Sequence, residues 1–485
     1  MMKYYYILFL SFCVLFSVGC LKDKYDPLRS EYPPEVDQII TTRCTQSGCH
    51  NEKSKDGAAG LDLSTWDKMF NGGSTGAAVI PYSSRFSTLL YFVNTDSSDG
   101  LVGTPTMPLN EAPLTKSQYH LLRNWIASGA PDKNGVVMFS DNPDRKKIYI
   151  SNQGCDNVAI LDAGLKVIMR YIDVGTIAGA SPPETPHSIK VTPDNKYLVV
   201  IFSGINEGYM QVFDTKTDSL VKNIAIGLGS WNTFTISSDS RYAYAADFDN
   251  GLVVFVDLVA GITTTSFTLN TSLHGVALNS TDDTLYIGQN SSSGLFKIPI
   301  NDRSNFDYFD LNDVQPAPGN LKPHEIDFSP DGSKYFVTCE GSGANQVRVY
   351  NAHNDQLIHV FNVGTKPVEM STSASRNLLF VTCMEDHYFP FTTGSVRVID
   401  IATLTETHVI EVGWQPHDLV VDDDEDLVYV ANRNYDGLGP APHHASACNG
   451  LKNGYLSAID MNTMKLSSKV KAELSVDPYS LTIKH

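Results

Sequence analysis

An internal repeat constrains this chain more than any other feature. From about Arg145 to the C-terminus, a polar turn followed by an apolar strand recurs at roughly 42–50 residues. Aligned on that turn, the units read PHSIKVTPDNKYLVV from Pro186, SWNTFTISSDSRYAYAA from Ser230 and LHGVALNSTDDTLYIGQ from Leu273. They continue as PHEIDFSPDGSKYFVTC from Pro323, PVEMSTSASRNLLFVTC from Pro367 and PHDLVVDDDEDLVYVAN from Pro416. A sheet this small cannot bury its own apolar faces, so each unit must stack on neighbours; short alternating strands at this period are those of propeller blades.

The two ends of the region supply one further unit. Lys146 to Asn152 reads KKIYISN and lacks a preceding strand, while Pro478 to Ile483 reads PYSLTI and lacks a following one. Joining them closes a ring of seven blades with no open sheet edge. Residues 145–485 are therefore expected to form an all-β seven-bladed propeller. The units resemble the YVTN repeat family, most clearly in GSVRVIDIATLTETHVIEVG from Gly394 and LVYVANRN from Leu427. That resemblance implies an architecture only, since such propellers host many functions.

Ahead of a linker at 134–144, residues 35–133 have a different texture and read as a small all-α domain. Thr41 to Glu52 is TTRCTQSGCHNE: two thiols five positions apart, with a histidine directly after the second. In the usual C-x-x-C-H site the thiols add across the porphyrin vinyl groups and the adjacent imidazole becomes the proximal iron ligand. Cys44 and Cys49 would be the attachment points and His50 the axial ligand, with two extra residues between the thiols. A Cys44–Cys49 disulfide or a zinc site are the competing readings.

The context matches a haem domain. Val36, Ile39 and Ile40 fall on one helical face after Pro33-Pro34, and Thr115 with Gln118 forms a capping box ahead of an apolar stripe of Tyr119, Leu122, Trp125 and Ile126. From Ile39 to Ala130 the chain resembles the compact cytochrome c domain common in planctomycetes. The residues that carry this are CTQSGCH, Gly60-Leu61-Asp62-Leu63-Ser64, read as a strand, Met107-Pro108, and Trp125 to Ala130. The resemblance implies one covalent haem c with Met107 as distal ligand; the other readings are an ordinary methionine there and His120 as a nearby alternative ligand.

Residues 1–19 read as a secretory signal, with Lys3, an apolar stretch from Tyr4 to Val18, and a small-residue site ending at Cys20. The pattern resembles a bacterial lipoprotein signal, which implies lipidation of Cys20, with an ordinary cleaved signal or an uncleaved anchor as the other readings; residues 20–34 then form a tether. This implies an exported, membrane-anchored protein, with the outer membrane facing the periplasm or the cell surface as the expected placement. Export permits disulfides, and Cys155 and Cys448 lie in loops of blades that ring closure makes adjacent. With 36 Lys+Arg against 54 Asp+Glu, the formal charge of −18 disfavours nucleic acid and suits a basic or small partner.

One propeller face gathers reactive side chains. His187, His274, His324 and His417 share a repeat position at the start of the axial strands, and Cys339 and Cys383 share the position that ends the second strand. The loops Met384 to Thr393 and Arg433 to Asn453 add Glu385, Asp386, His387, His443 and His444. Imidazole and thiol ligands favour copper or zinc. The competing reading makes Pro-His a turn-and-cap dipeptide whose imidazole bonds the neighbouring blade, and makes the cysteines buried small hydrophobes or a disulfide. No nucleophile motif, phosphate-binding loop or carboxylate pair of recognisable spacing is present. The expected function is single-electron transfer with the propeller as docking platform for a redox partner. An oxidoreductase with a substrate, metal or second cofactor at the propeller mouth, and a non-redox surface binding module, are the alternatives.

Overall fold

The computed structural model describes residues 30–204, 207–317, 319–439, 446, 448, 452–470 and 472–485. Cys20, most of the tether, His443 and His444 lie outside the described residues. Among the described residues no helix is long and apolar enough to cross a membrane.

Four short helices build the N-terminal unit: α1 (Pro34–Arg43), α2 (Trp66–Met69), α3 (Thr88–Val93) and α4 (Lys116–Ala127). Helix α1 opens on a proline, whose missing N–H costs nothing in the first turn, and buries Val36, Ile39 and Ile40. Helix α4 is fixed at its start by the capping box: Gln118 N–H donates to Thr115 Oγ1 at 3.3 Å and Thr115 N–H to Gln118 Oε1 at 2.9 Å. Its buried face is Tyr119, Leu122, Trp125 and Ile126.

The segment Gly60 to Ser64 is not the strand its sequence suggests. The alternation of Leu61 and Leu63 has no partner strand to pair with; instead Leu63 N–H donates to the His50 carbonyl at 3.0 Å, which lays the segment against the cysteine motif.

Beyond the linker the chain forms seven antiparallel sheets. The innermost strands are Pro186–Val191, Trp231–Ile236, Leu273–Leu278, Pro323–Phe328, Thr365–Ser373, Pro416–Asp422 and Pro478–Lys484. The last of these pairs with Lys147–Asn152, so one blade takes its inner strand from the C-terminus and three outer strands from the start of the domain. In the blade before it, both Lys465–Leu466 and Ala472–Val476 pair with Asn453–Asp460.

Apolar residues of facing sheets fill the spaces between blades, each cluster drawing on two or more blades. Cys155 and Cys448 are joined by a disulfide with Cα atoms 5.5 Å apart, tying the closing blade to the loop of the blade before it. The helical unit sits against the outer rim of these same two blades. Phe86 packs on Tyr171 with ring centroids 4.3 Å apart, and Glu473 N–H donates to the Thr75 carbonyl at 2.9 Å.

Candidate haem-attachment site and the propeller mouth

The motif between Cys44 and His50 begins where α1 ends. Cys44 N–H makes a last helical bond to the Ile40 carbonyl at 2.8 Å, and the chain then folds back so that His50 N–H donates to the Cys44 carbonyl at 3.0 Å. That closure absorbs the two extra residues and brings the chain after the second thiol back to the first. Gly48 sits at φ 86°, in the left-handed region glycine tolerates best. Asn51 Nδ2 clamps the turn by donating to the carbonyls of Thr45 at 3.2 Å and Gln46 at 2.8 Å.

Cys44 and Cys49 are both half-buried free thiols, so the disulfide reading of the motif is not what the structure contains. The two thiols and His50 also do not converge on one point as zinc ligands would. Burial pushes the Cys44 thiol up to about 12. Burial lowers the His50 pKa, an effect the backbones of Leu61 and Ala58 partly offset, and His50 Nδ1 is buried without a hydrogen-bond partner. A neutral imidazole with an uncommitted nitrogen beside two unpaired thiols is the donor set that covalent haem attachment needs.

Met107 is half-buried against the same apolar cluster as Cys44, held by its N–H to the Phe92 carbonyl at 2.7 Å. His120 faces elsewhere: its Nε2 lies 3.1 Å from Asp99 Oδ2, and the side chain is half-exposed.

At the propeller mouth the repeat has a structural cause. All seven inner strands carry a pairing irregularity at the His position. A bulge of this kind re-aims side chains, and consecutive residues such as His187-Ser188, His417-Asp418 and Tyr479-Ser480 all line one central cavity of about 430 Å³. Gly275, at φ 69°, allows a close approach between blades: a Cβ there would lie 2.7 Å from the His324 carbonyl oxygen.

Five rings close a circle around the axis. Successive centroid separations are 5.9 Å for His187 to His274, 4.0 Å on to His324, 5.6 Å on to His417, 3.6 Å on to Tyr479 and 4.2 Å back to His187. Three of the four histidines behave as caps between blades. His187 Nδ1 donates to the Asn232 carbonyl at 2.8 Å, His274 Nδ1 to the His324 carbonyl at 2.7 Å and His417 Nδ1 to the Tyr479 carbonyl at 3.2 Å. Burial drives His187 and His417 well below the usual histidine pKa and His274 down to about 4, so these rings are neutral.

His324 differs. Its Nδ1 lies 3.4 Å from Glu340 Oε1 and its Nε2 3.4 Å from Glu369 Oε1, and both nitrogens are buried without a hydrogen-bond partner. Burial opposes its charge, but the two carboxylates outweigh burial and raise its pKa to about 10. Burial likewise opposes ionisation of Glu369 and Glu340, and His324 holds both below the usual carboxylate range.

Carboxylates also line the cavity beneath the rings. Glu325, Glu369 and Asp418 share the repeat position just after the histidine, and Asp327 lies near them. Burial raises Glu325 well above its usual value and takes Asp327 and Asp418 up to about 7. The carboxylates of different blades have no common spacing along the chain, so only the aligned repeat could have shown them.

Cys339 and Cys383 do not belong to the mouth. Each continues a strand alternation that faces the preceding blade, after Tyr335 and Val337 in one case and Leu379 and Val381 in the other, and both are fully buried free thiols. Burial pushes both up to about 12. Asp386 is structural too, since Ser395 Oγ at 2.6 Å and Arg397 Nη2 at 2.6 Å donate to its Oδ2.

Residues 47–102 match the family model described as Planctomycete cytochrome C, a span that holds Cys49 and His50 and excludes Cys44 and Met107. The chain is therefore a cytochrome c-type domain followed by a seven-bladed β-propeller. A stretch of 130 residues is 30% identical to Antigen Lp49 of Leptospira interrogans serogroup Icterohaemorrhagiae serovar copenhageni, covering 24% of this chain and 26% of that protein. The match thus spans about a quarter of that curated relative's length. Among solved structures, Kuenenia stuttgartiensis hydrazine synthase is similar with a TM-score of 0.49 and 13% identity, over 64% of this chain and 93% of that one.

Proposed function

We propose that the protein is an exported mono-haem c-type cytochrome that passes single electrons, with the propeller as a docking platform for its redox partner. When bound, the haem iron supplies reversible one-electron chemistry. Cys44 and Cys49 would hold it covalently, and His50 and Met107 would supply the protein ligands to its iron. The observation that carries this reading is the closed turn from Cys44 to His50, with two unpaired thiols and a neutral imidazole, of which Cys49 and His50 lie inside the span where the cytochrome family model applies.

Lipidated Cys20 anchors the protein to a membrane, in the outer membrane facing the periplasm or at the cell surface. The net charge of −18 favours a basic partner protein over nucleic acid.

An optical redox titration of the full chain, produced with cytochrome-maturation machinery, tests this reading. A single one-electron wave is expected. Met107→Ala should keep the chromophore and lower the potential, because a Met/His pair sits above other axial sets. Absence of a reducible chromophore would overturn the proposal, and an unchanged potential in the variant would remove Met107 as ligand.

A further inference from the structure

One histidine in the circle of rings at the propeller mouth is held not by a blade carbonyl but between two carboxylates, Glu340 and Glu369. His187, His274 and His417 are each held by a carbonyl of the next blade, whereas His324 makes no hydrogen bond through either nitrogen while being only 6% exposed. One nitrogen each of His324 and His417 and one oxygen of Glu369 lie within 4.8 Å of one another. The 3.4 Å between His324 Nε2 and Glu369 Oε1 makes a poor hydrogen bond. It suits two ligands on one ion: at metal–ligand distances of ~2.0–2.1 Å, tetrahedral ligands stand roughly 3.3 Å apart.

The surroundings complete the pattern. His417 Nδ1 faces a carbonyl, which can only accept, so Nδ1 carries the proton and Nε2 keeps its lone pair. On the far side of His324, Glu340 Oε1 lies 3.4 Å from Nδ1, and Asn290 Nδ2 donates to that same oxygen at 3.0 Å. A carboxylate behind a ligating histidine, itself fixed by a further donor, orients the ring and raises its basicity toward a metal.

The geometry points to a divalent transition-metal site at the propeller mouth, with His324, His417 and Glu369 as ligands and Glu340 as the positioning residue behind His324. Two imidazoles and one carboxylate suit zinc or copper and leave coordination positions for water or a small ligand. Glu369 and His417 both line the central cavity, so an open position would face it. The site does not depend on the haem reading.

The test uses the full chain carrying Cys44→Ala and Cys49→Ala, so that these thiols cannot bind metal and the outcome is separate from haem attachment. Metal-stripped protein is titrated with Zn²⁺ by calorimetry, and with Co²⁺ to read its ligand-field spectrum. One equivalent is expected, with a four- or five-coordinate cobalt spectrum. Glu369→Gln and His417→Gln should each weaken binding at least tenfold, and Glu340→Gln by about 10–100-fold, as for other outer-shell partners. Circular dichroism melts confirm that each variant folds, and His324→Gln provides a second ligand variant should one fail. Asp424→Asn reports on the exposed group Asp422, Asp424 and His485, which also could gather a cation. Absence of stoichiometric binding, or binding lost in Asp424→Asn but unchanged in folded Glu369→Gln or His324→Gln, overturns the site.

Discussion

Lys147 Nζ lies 2.8 Å from one carboxylate oxygen of Asp218 and 2.9 Å from the other, and both side chains are shut away from solvent. Tyr149 donates its hydroxyl to the same carboxylate at 2.8 Å. These contacts tie the closing blade to the blade that follows it in the chain. Removing Lys147 leaves the buried Asp218 carboxylate with Arg170, 3.3 Å away, as its remaining counter-charge, so Lys147→Met should destabilise the propeller by up to about 3–5 kcal/mol. Tyr149→Phe should cost less, about 1–3 kcal/mol. Urea unfolding of the full chain checks both, and a loss under about 1 kcal/mol for Lys147→Met would show that the pair is not buried as described.

The Cys155–Cys448 disulfide spans 293 positions of chain and joins the two blades that meet at ring closure. Cross-linking residues this far apart restricts the unfolded chain strongly, and loss of a native disulfide costs about 2–5 kcal/mol. Calorimetry of the oxidised chain against Cys155→Ser/Cys448→Ser should show that loss as a lower melting temperature. Equal melting curves would mean the bond contributes nothing in solution.

The Glu184 carboxylate acts on Glu207, and Glu207 is the partner that keeps the proton. Glu184 is committed as the acceptor, taking N–H donors from Thr176 at 2.8 Å and Ile177 at 3.0 Å. Burial, then the Glu184 charge, raises Glu207 to about 7. Between the ordinary carboxylate range and pH 7 the folded state therefore keeps a proton that the unfolded chain has released, so stability falls as pH rises through that window. Glu207→Gln should match the wild type near pH 4 and exceed it at pH 8. Glu207 is partly exposed, which limits the gain to less than about 1 kcal/mol. Thermal melts at both pH values check this, and an advantage that is largest at pH 4 would reverse the sign.

The propeller was legible because its period, its turn chemistry and its two complementary half-units all agree, and the strand from Pro478 fills the edge that Lys147–Asn152 leaves open. The cysteine motif was legible as chemistry, but the turn that lets His50 reach back to Cys44 was not. The mouth was only half legible. Alternation alone cannot place His417 and Asp418 on one cavity; that takes the bulge, which leaves no mark in a single sequence. The partners of His324 come from a second strand and the next blade, so no local spacing announces Glu340 or Glu369. Cys339 and Cys383 misled in the opposite way, because sharing a repeat position says nothing about whether that position faces the mouth or the neighbouring blade.

The proposed electron-transfer function rests on Cys44, Cys49 and His50 forming one covalent haem site. Intact mass together with a pyridine haemochrome spectrum tests it most directly, on the full chain made with cytochrome-maturation machinery and on its Cys44→Ala/Cys49→Ala variant. One haem bound through two thioethers is expected in the wild type and none in the variant. A chain that leaves the maturation system at its apoprotein mass, or a haem that survives loss of both thiols, would contradict it.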